Sequence, residues 1–148
     1  GACQLFRREC FEAVGGYQPI EGGGIDWLAV TTARMMGWKT RTFTERTIFH
    51  HRKIGTGGRG KLGALFRQGN KDYGLGNHPV WQVFRTFYQM GHKPYIIGGM
   101  AIITGYLSSF IGRERRPVPR DVIVFCRHEQ IRRLGATLKL DKLGLTVR

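Results

Sequence analysis

Asp26 is the residue of this chain best placed to do chemistry. It follows three consecutive glycines, Gly22-Gly23-Gly24, and precedes Trp27 by one step. Glycines let a backbone take positive φ and let another group approach closely. Ile25, Leu28, Ala29, Ala33 and Met36 then recur at helical spacing and predict an amphipathic helix ended by Gly37. Asp26 therefore stands at a loop-to-helix junction, at the positive end of a helix dipole. Two roles fit this position: capping of the helix after a flexible loop, and a carboxylate held at the floor of a site. A second cluster, His50-His51-Arg52-Lys53, closes a β-prone stretch and by itself reads as a solvated strand end.

The acids are few and scattered. Lys and Arg number 24 against 10 Asp and Glu, a formal net charge of +14. Such a surplus attracts nucleic acid, anionic lipid or phosphorylated substrates and says nothing about fold. No two carboxylates lie within two residues of each other, so there is no Asp-x-Asp pair, and no Gly-x-x-x-x-Gly-Lys phosphate loop occurs. Magnesium favours carboxylate and phosphate oxygens, and this stretch of chain offers few of the former. Cys3, Cys10 and Cys126 are an odd, widely spaced set that fits a reducing compartment and no zinc site.

The elements that must position these residues follow from periodicity and punctuation. Residues 2–6 read as a short buried strand and 8–14 as a short helix stopped by Gly15-Gly16. Lys39 to Phe43 alternates polar and apolar, and Thr47 to Phe49 is β-prone, so two short strands or one bent one are expected. A glycine-rich linker over 55–60 marks an internal boundary. Beyond it come a basic helix over 61–73 with Leu62, Leu65 and Phe66 on one side, and a helix opening at Pro79. In that second helix Val80, Val83, Phe84 and Phe87 share a face, with Trp81 and Tyr88 beside them. Pro94 to Gly112 carries no charge, and a last helix runs from Pro119 to Leu134, with Ile123, Ile131 and Leu134 on one face.

The uncharged run is at the lower edge of what spans a bilayer. Lys93 precedes it, and Arg113, Arg115 and Arg116 follow it. A single span would strand basic residues outside whichever way it ran. A monotopic or re-entrant arrangement keeps both basic ends at one anionic surface, where each cation contributes roughly 1 kcal/mol. Interfacial seating is therefore expected over spanning or ordinary burial.

In order, the first part of the chain reads Phe6-Arg7-Arg8, Phe11, Val14-Gly15-Gly16-Tyr17, then the glycine loop and Asp26, then Ala33-Arg34 to Gly37-Trp38, then His50-His51-Arg52. This resembles the acceptor-side part of a bacterial family 2 inverting glycosyltransferase with the GT-A fold. The resemblance covers roughly residues 1–56 and rests on order, spacing and type together. Residues 57–148 look like the basic, aromatic, membrane-associating extension of such enzymes, including Tyr73, Gly76-Asn77-His78-Pro79 and Glu129-Gln130-Ile131-Arg132-Arg133-Leu134. One departure is plain: the family's Glu-Asp pair appears here as Ile25-Asp26.

The resemblance implies an α/β fold class, with 1–56 as the C-terminal part of a GT-A domain and 57–148 as a mainly helical extension. It implies transfer of a sugar from a nucleotide-diphosphate donor to a lipid-linked or saccharide hydroxyl acceptor, in cell-surface polysaccharide or glycolipid synthesis. Asp26 would be the general base. Arg52, Trp27, Gly23 and Gly24 would bind substrate, and His50, or alternatively His51, would bind a divalent metal, Mg or Mn. Trp27 and Trp38 also suit plain packing. The nucleotide-binding units and most of the metal site would precede Gly1, leaving this chain inactive by itself. The expected location is the cytoplasmic face of the cell membrane, peripheral or monotopic, with an anionic lipid surface and no nucleic acid as partner. The competing classes are a basic nucleic-acid-binding module and a non-catalytic membrane anchor or assembly domain.

Overall fold

The computed structural model describes residues 3–45, 47 and 60–137. Six helices follow one another: α1 (Arg8–Ala13), α2 (Ile25–Met35), α3 (Lys61–Gly74), α4 (Pro79–Met90), α5 (Tyr95–Ile111) and α6 (Arg120–Thr137). There is no strand among the described residues. This overturns the α/β fold class and the GT-A reading of the first segment. Residues 4–7 and 38–43 run without regular structure, Leu5 is 95% exposed, and Phe43 is exposed as well. The alternation over 39–43 lacks the neighbouring strands that a stable sheet requires. Arg41 instead stacks on the Phe43 ring, 5.1 Å from its centroid, at the surface. Most of the expected strand at 47–49 lies outside the described residues, as do His50, His51 and Arg52.

The helices stand where periodicity and punctuation put them. In α2 the expected stripe is partly realised: Leu28, Ala29 and Ala33 are buried, while Ile25 and Met36 at its ends are exposed. Its end is closed by paired bonds, Gly37 N–H to Arg34 O and Trp38 N–H to Ala33 O, both 3.0 Å, with Gly37 at φ 87°. That is the left-handed stop that only glycine adopts without strain.

One apolar core joins the two segments. Leu28 of α2 meets Leu75, Val118, Val122 and Ile123, with Ile20, Trp27 and Met35 packed against them. A smaller cluster joins Cys10 and Val14 to Ala33, with Phe6 and Trp38 beside it. An ion pair between Arg34 of α2 and Glu129 of α6, 3.0 Å and largely buried, adds a polar tie.

The α3–α5 pair is built differently. A Cβ on Gly69 would run into the Ile102 carbonyl oxygen, and one on Gly105 into the Phe66 carbonyl oxygen, so the two helix backbones touch. Asn70, its amide nitrogen turned to the carbonyls, donates to Gly105 O at 2.6 Å. Small residues at the contact and polar groups as ties are how helices associate where surrounding apolar matter gives no drive. α5 buries Gly98, Gly99, Gly105 and Ser109 together with Ile102 and Tyr106, and turns Ile96, Ile97, Met100 and Ile111 outward. No helix among the described residues is long and apolar enough to cross a membrane.

Candidate functional site

The glycine loop delivers Asp26. Gly24, at φ 113°, is the N-cap residue of α2 and offers no side-chain cap. A Cβ there would be strained and would press to 3.0 Å from the Leu75 side chain, so the position demands glycine. Asp26 follows in the first turn, half-buried, and is the only acid of that turn. A carboxylate there is favoured by the helix dipole. The loop also lies against Lys71 of α3: a Cβ on Gly23 would sit 3.7 Å from Nζ. The field of Lys71 reaches the Asp26 carboxylate.

Beside Asp26 an open cleft of about 800 Å³ runs between the loop Glu21–Gly23, the cleft face of α3 and the segment 114–119. Arg67 and Lys71 come from α3, and Arg115 and Arg116 from the chain after α5; Glu21 and Glu114 are the cleft's two acids. No ion pair among the described residues engages any of these four cations. Arg116 lies over the Tyr73 ring, 4.5 Å from its centroid, which holds its guanidinium in place. Tyr73 is in turn packed edge-on against Tyr106 and Phe110. Asp26 does not line the cleft; it stands one turn of helix beyond Gly23.

The expected site residues separate into three groups. Asp26, Gly23 and Gly24 are brought together with Lys71. Trp27 packs against the shared apolar core, and Trp38 against the smaller one. His50, His51 and Arg52 lie outside the described residues. No group of three or more His, Cys, Asp or Glu among the described residues can hold a metal ion. The donor set in view does not fit a divalent cation, and no step is assigned to one.

Comparison with family models, with curated proteins and with solved structures finds no match to this chain. The likeness to family 2 glycosyltransferases thus rests on the quoted residues alone. Their placement is informative. Phe6, Phe11 and Tyr17 form a ring cluster with centroids 5.3 to 6.1 Å apart, and Arg8 pairs with Glu12 at the surface. That stretch is therefore self-packing.

The two stretches quoted from the second segment meet in space. Gln130 bridges them, donating to Asn77 Oδ1 at 2.7 Å and accepting from His78 N–H at 2.8 Å. Arg127 donates to Gly76 O at 2.8 Å, and Tyr106 donates to Asn77 O at 3.0 Å. His78 Nδ1 caps α4 by accepting from Val80 N–H. Burial, helped by the Arg127 charge, lowers the His78 pKa and keeps the ring neutral, as that acceptor role requires.

Sequence reasoning missed the cleft cations on α3. Arg67 and Lys71 recur four residues apart, one helical turn, which is the signal that could have paired them. Their conjunction with Arg115 and Arg116 depends on the α3–α5 packing and has no local signature. Cys126 is inert by comparison: burial first, then Glu129, pushes its thiol up to about 11.

Proposed function

We propose that this chain forms the acceptor-side part of an inverting glycosyltransferase that moves a sugar from a nucleotide-diphosphate donor to a hydroxyl acceptor at an anionic membrane surface. The observation that carries this reading is the placement of Asp26 beside a cleft with four cations that form no ion pair among the described residues. Inverting transfer asks for one carboxylate to take the acceptor hydroxyl's proton as it attacks the anomeric carbon, and for fixed cations near phosphate charge. Asp26 is that base, the Trp27 backbone N–H and the more distant Lys71 favour its ionised form, and the glycine loop leaves room for the acceptor. Arg52 toward the donor and His50 or His51 toward a metal belong to the same proposal.

The membrane seat has its own support. α4 and α5 turn large apolar side chains outward, and Lys93 and Arg113 flank α5 with charge that complements an anionic leaflet. The Phe87→Glu exchange set out in the Discussion tests it.

Asp26→Asn tests the catalytic part. Asn keeps the size and can still accept a hydrogen bond, but it cannot take a proton. In the full-length protein, turnover at saturating donor should fall about 10²-fold or more, with an unchanged thermal melt. Turnover within a few-fold of wild type would remove Asp26 from the mechanism and leave it a helix-terminal carboxylate.

A further inference from the structure

We infer that the cleft between the glycine loop, α3 and the segment 114–119 binds a phosphate or diphosphate ester, and that this group is the head of a lipid-borne acceptor. The inference rests on the glycosyltransferase reading for the word acceptor; the binding itself does not. Four cations against two carboxylates leave a net charge of +2 on the cleft walls. A phosphate monoester carries about −1.5 to −2 at neutral pH. The cations come from two directions, Arg67 and Lys71 from α3 and Arg115 and Arg116 from the facing segment, so they can hold a tetrahedral group from both sides. Arg116 is fixed by Tyr73, and α3 is fixed by its backbone contact with α5. One cation and the helix that carries two others are thus held in place.

The tail end of the ligand is read from the surroundings. The segment that supplies Arg115 and Arg116 leaves α5 directly after Phe110 and Ile111, which are 52% and 77% exposed. Three residues lie between Ile111 and Arg115, four steps of chain, so the apolar end of α5 lies within about 14 Å of the cleft cation. An amphiphile with its head in the cleft would lay its chain along this end, on the face that the α4–α5 pair turns outward. A nucleotide finds less here. The cleft lining holds no aromatic side chain to stack a base.

Vesicle flotation of the full-length protein tests this in about 0.15 M salt, where separated surface charges are screened. Phosphatidylcholine vesicles carry either a polyprenyl phosphate or phosphatidylglycerol at matched charge. Lys71→Gln with Arg115→Gln should lower retention on polyprenyl phosphate tenfold or more and on phosphatidylglycerol less than twofold. Arg115→Gln alone, at an exposed position, should do so severalfold with an unchanged melt. Arg120→Gln with Arg132→Gln removes the same charge elsewhere and should change neither. Wild-type retention of the cleft variants on polyprenyl phosphate, or an equal loss on both lipids, overturns the site. Displacement of the protein from polyprenyl phosphate by micromolar uridine diphosphate would assign the cleft to a nucleotide and overturn the lipid assignment. Asp26→Asn separates the two proposals: it should bind polyprenyl phosphate vesicles like wild type while losing turnover. Normal turnover in that variant sinks the transferase reading and leaves the cleft result standing.

Discussion

Helices α2 and α4 have similar lengths and opposite polarity. α2 hides Leu28, Ala29 and Ala33 and shows its polar side, as a helix of a water-soluble domain does. α4 hides Gln82 and Thr86 and shows Val80, Val83, Phe87 and Tyr88, with Gln82 fully buried and Phe87 67% exposed. Both helices have an apolar stripe in sequence, and only one of them turns it toward the protein. What differs is the partner. α2 meets Leu75 and Val122, a hydrocarbon surface. α4 meets Asp72 of α3 through Arg85, and its Thr86 backbone lies against Gly99 of α5, so its polar side is the side that fits. A stripe predicts that a face will leave water; it does not say whether protein or lipid will cover it. Among the described residues the stripe of α4 and the ends of α5 stand exposed.

The sharpest way to break this comparison is to disturb the contact that permits the inversion. Gly69→Val puts methyl groups where the Ile102 carbonyl oxygen already is, and that backbone cannot yield as a side chain would. The α3–α5 contact should open, with a loss of about 3 kcal/mol or more in a denaturant melt. The two sides of the cleft would separate with it. A melt within about 1 kcal/mol of wild type would mean that the helices do not touch here.

The next test exchanges side chains on the two helices. Leu28→Ala empties a buried position of the shared core and should lower stability by about 2–4 kcal/mol. Phe87→Ala removes a larger side chain and should change stability in water by no more than about 0.5 kcal/mol, because two-thirds of it is exposed among the described residues. Phe87→Glu should be equally harmless to folding yet reduce retention on anionic vesicles severalfold, since a charge on the outward face opposes lipid burial. Unchanged vesicle retention in Phe87→Glu would return α4 to an ordinary, if unusual, surface helix.

Much of this was legible in advance, and the failures have a physical pattern. Gly15, Gly37 and Pro79 announced helix ends because they act on backbone geometry locally. The helix over 25–36 was readable because its stripe and its stop agree. The strands over 2–6 and 39–43 were misread because β-propensity reports a fit to neighbours that local sequence does not contain. The inward placing of Gln82 and Thr86 on α4 has no local signature, because it depends on Asp72 of α3 and Gly99 of α5. Of the site, Asp26 and its loop were visible from type and spacing. The cations that join it come from residues 67, 71, 115 and 116, and only the packing of α3 on α5 makes them neighbours.

A pH-dependent effect concerns the buried polar group itself. Asp72 is 1% exposed, accepts from Gln68 Nε2 at 2.9 Å and pairs with Arg85 at 3.0 Å through one oxygen. Among the described residues its other oxygen, Oδ2, and the buried Gln82 amide make no hydrogen bond. Burial pushes the Asp72 carboxyl above its ordinary value of 3.8, against the pull of Arg85 and Gln68. The folded protein thus keeps this proton to higher pH than the unfolded chain does. Between 3.8 and the raised value the native state binds more protons, so the Asp72 contribution to stability falls as pH rises and stays at its lower level above that window. Asp72→Asn removes this term. Its amide oxygen can keep the Arg85 and Gln68 bonds, and its nitrogen, replacing Oδ2, can donate to Gln82 Oε1. The variant should match wild type at low pH and exceed it by up to about 1 kcal/mol at pH 7, as buried ion pairs replaced by neutral groups often do. Melts of both proteins from pH 3 to 8 check this; a variant that loses ground as pH rises would show that the Arg85 pair outweighs burial.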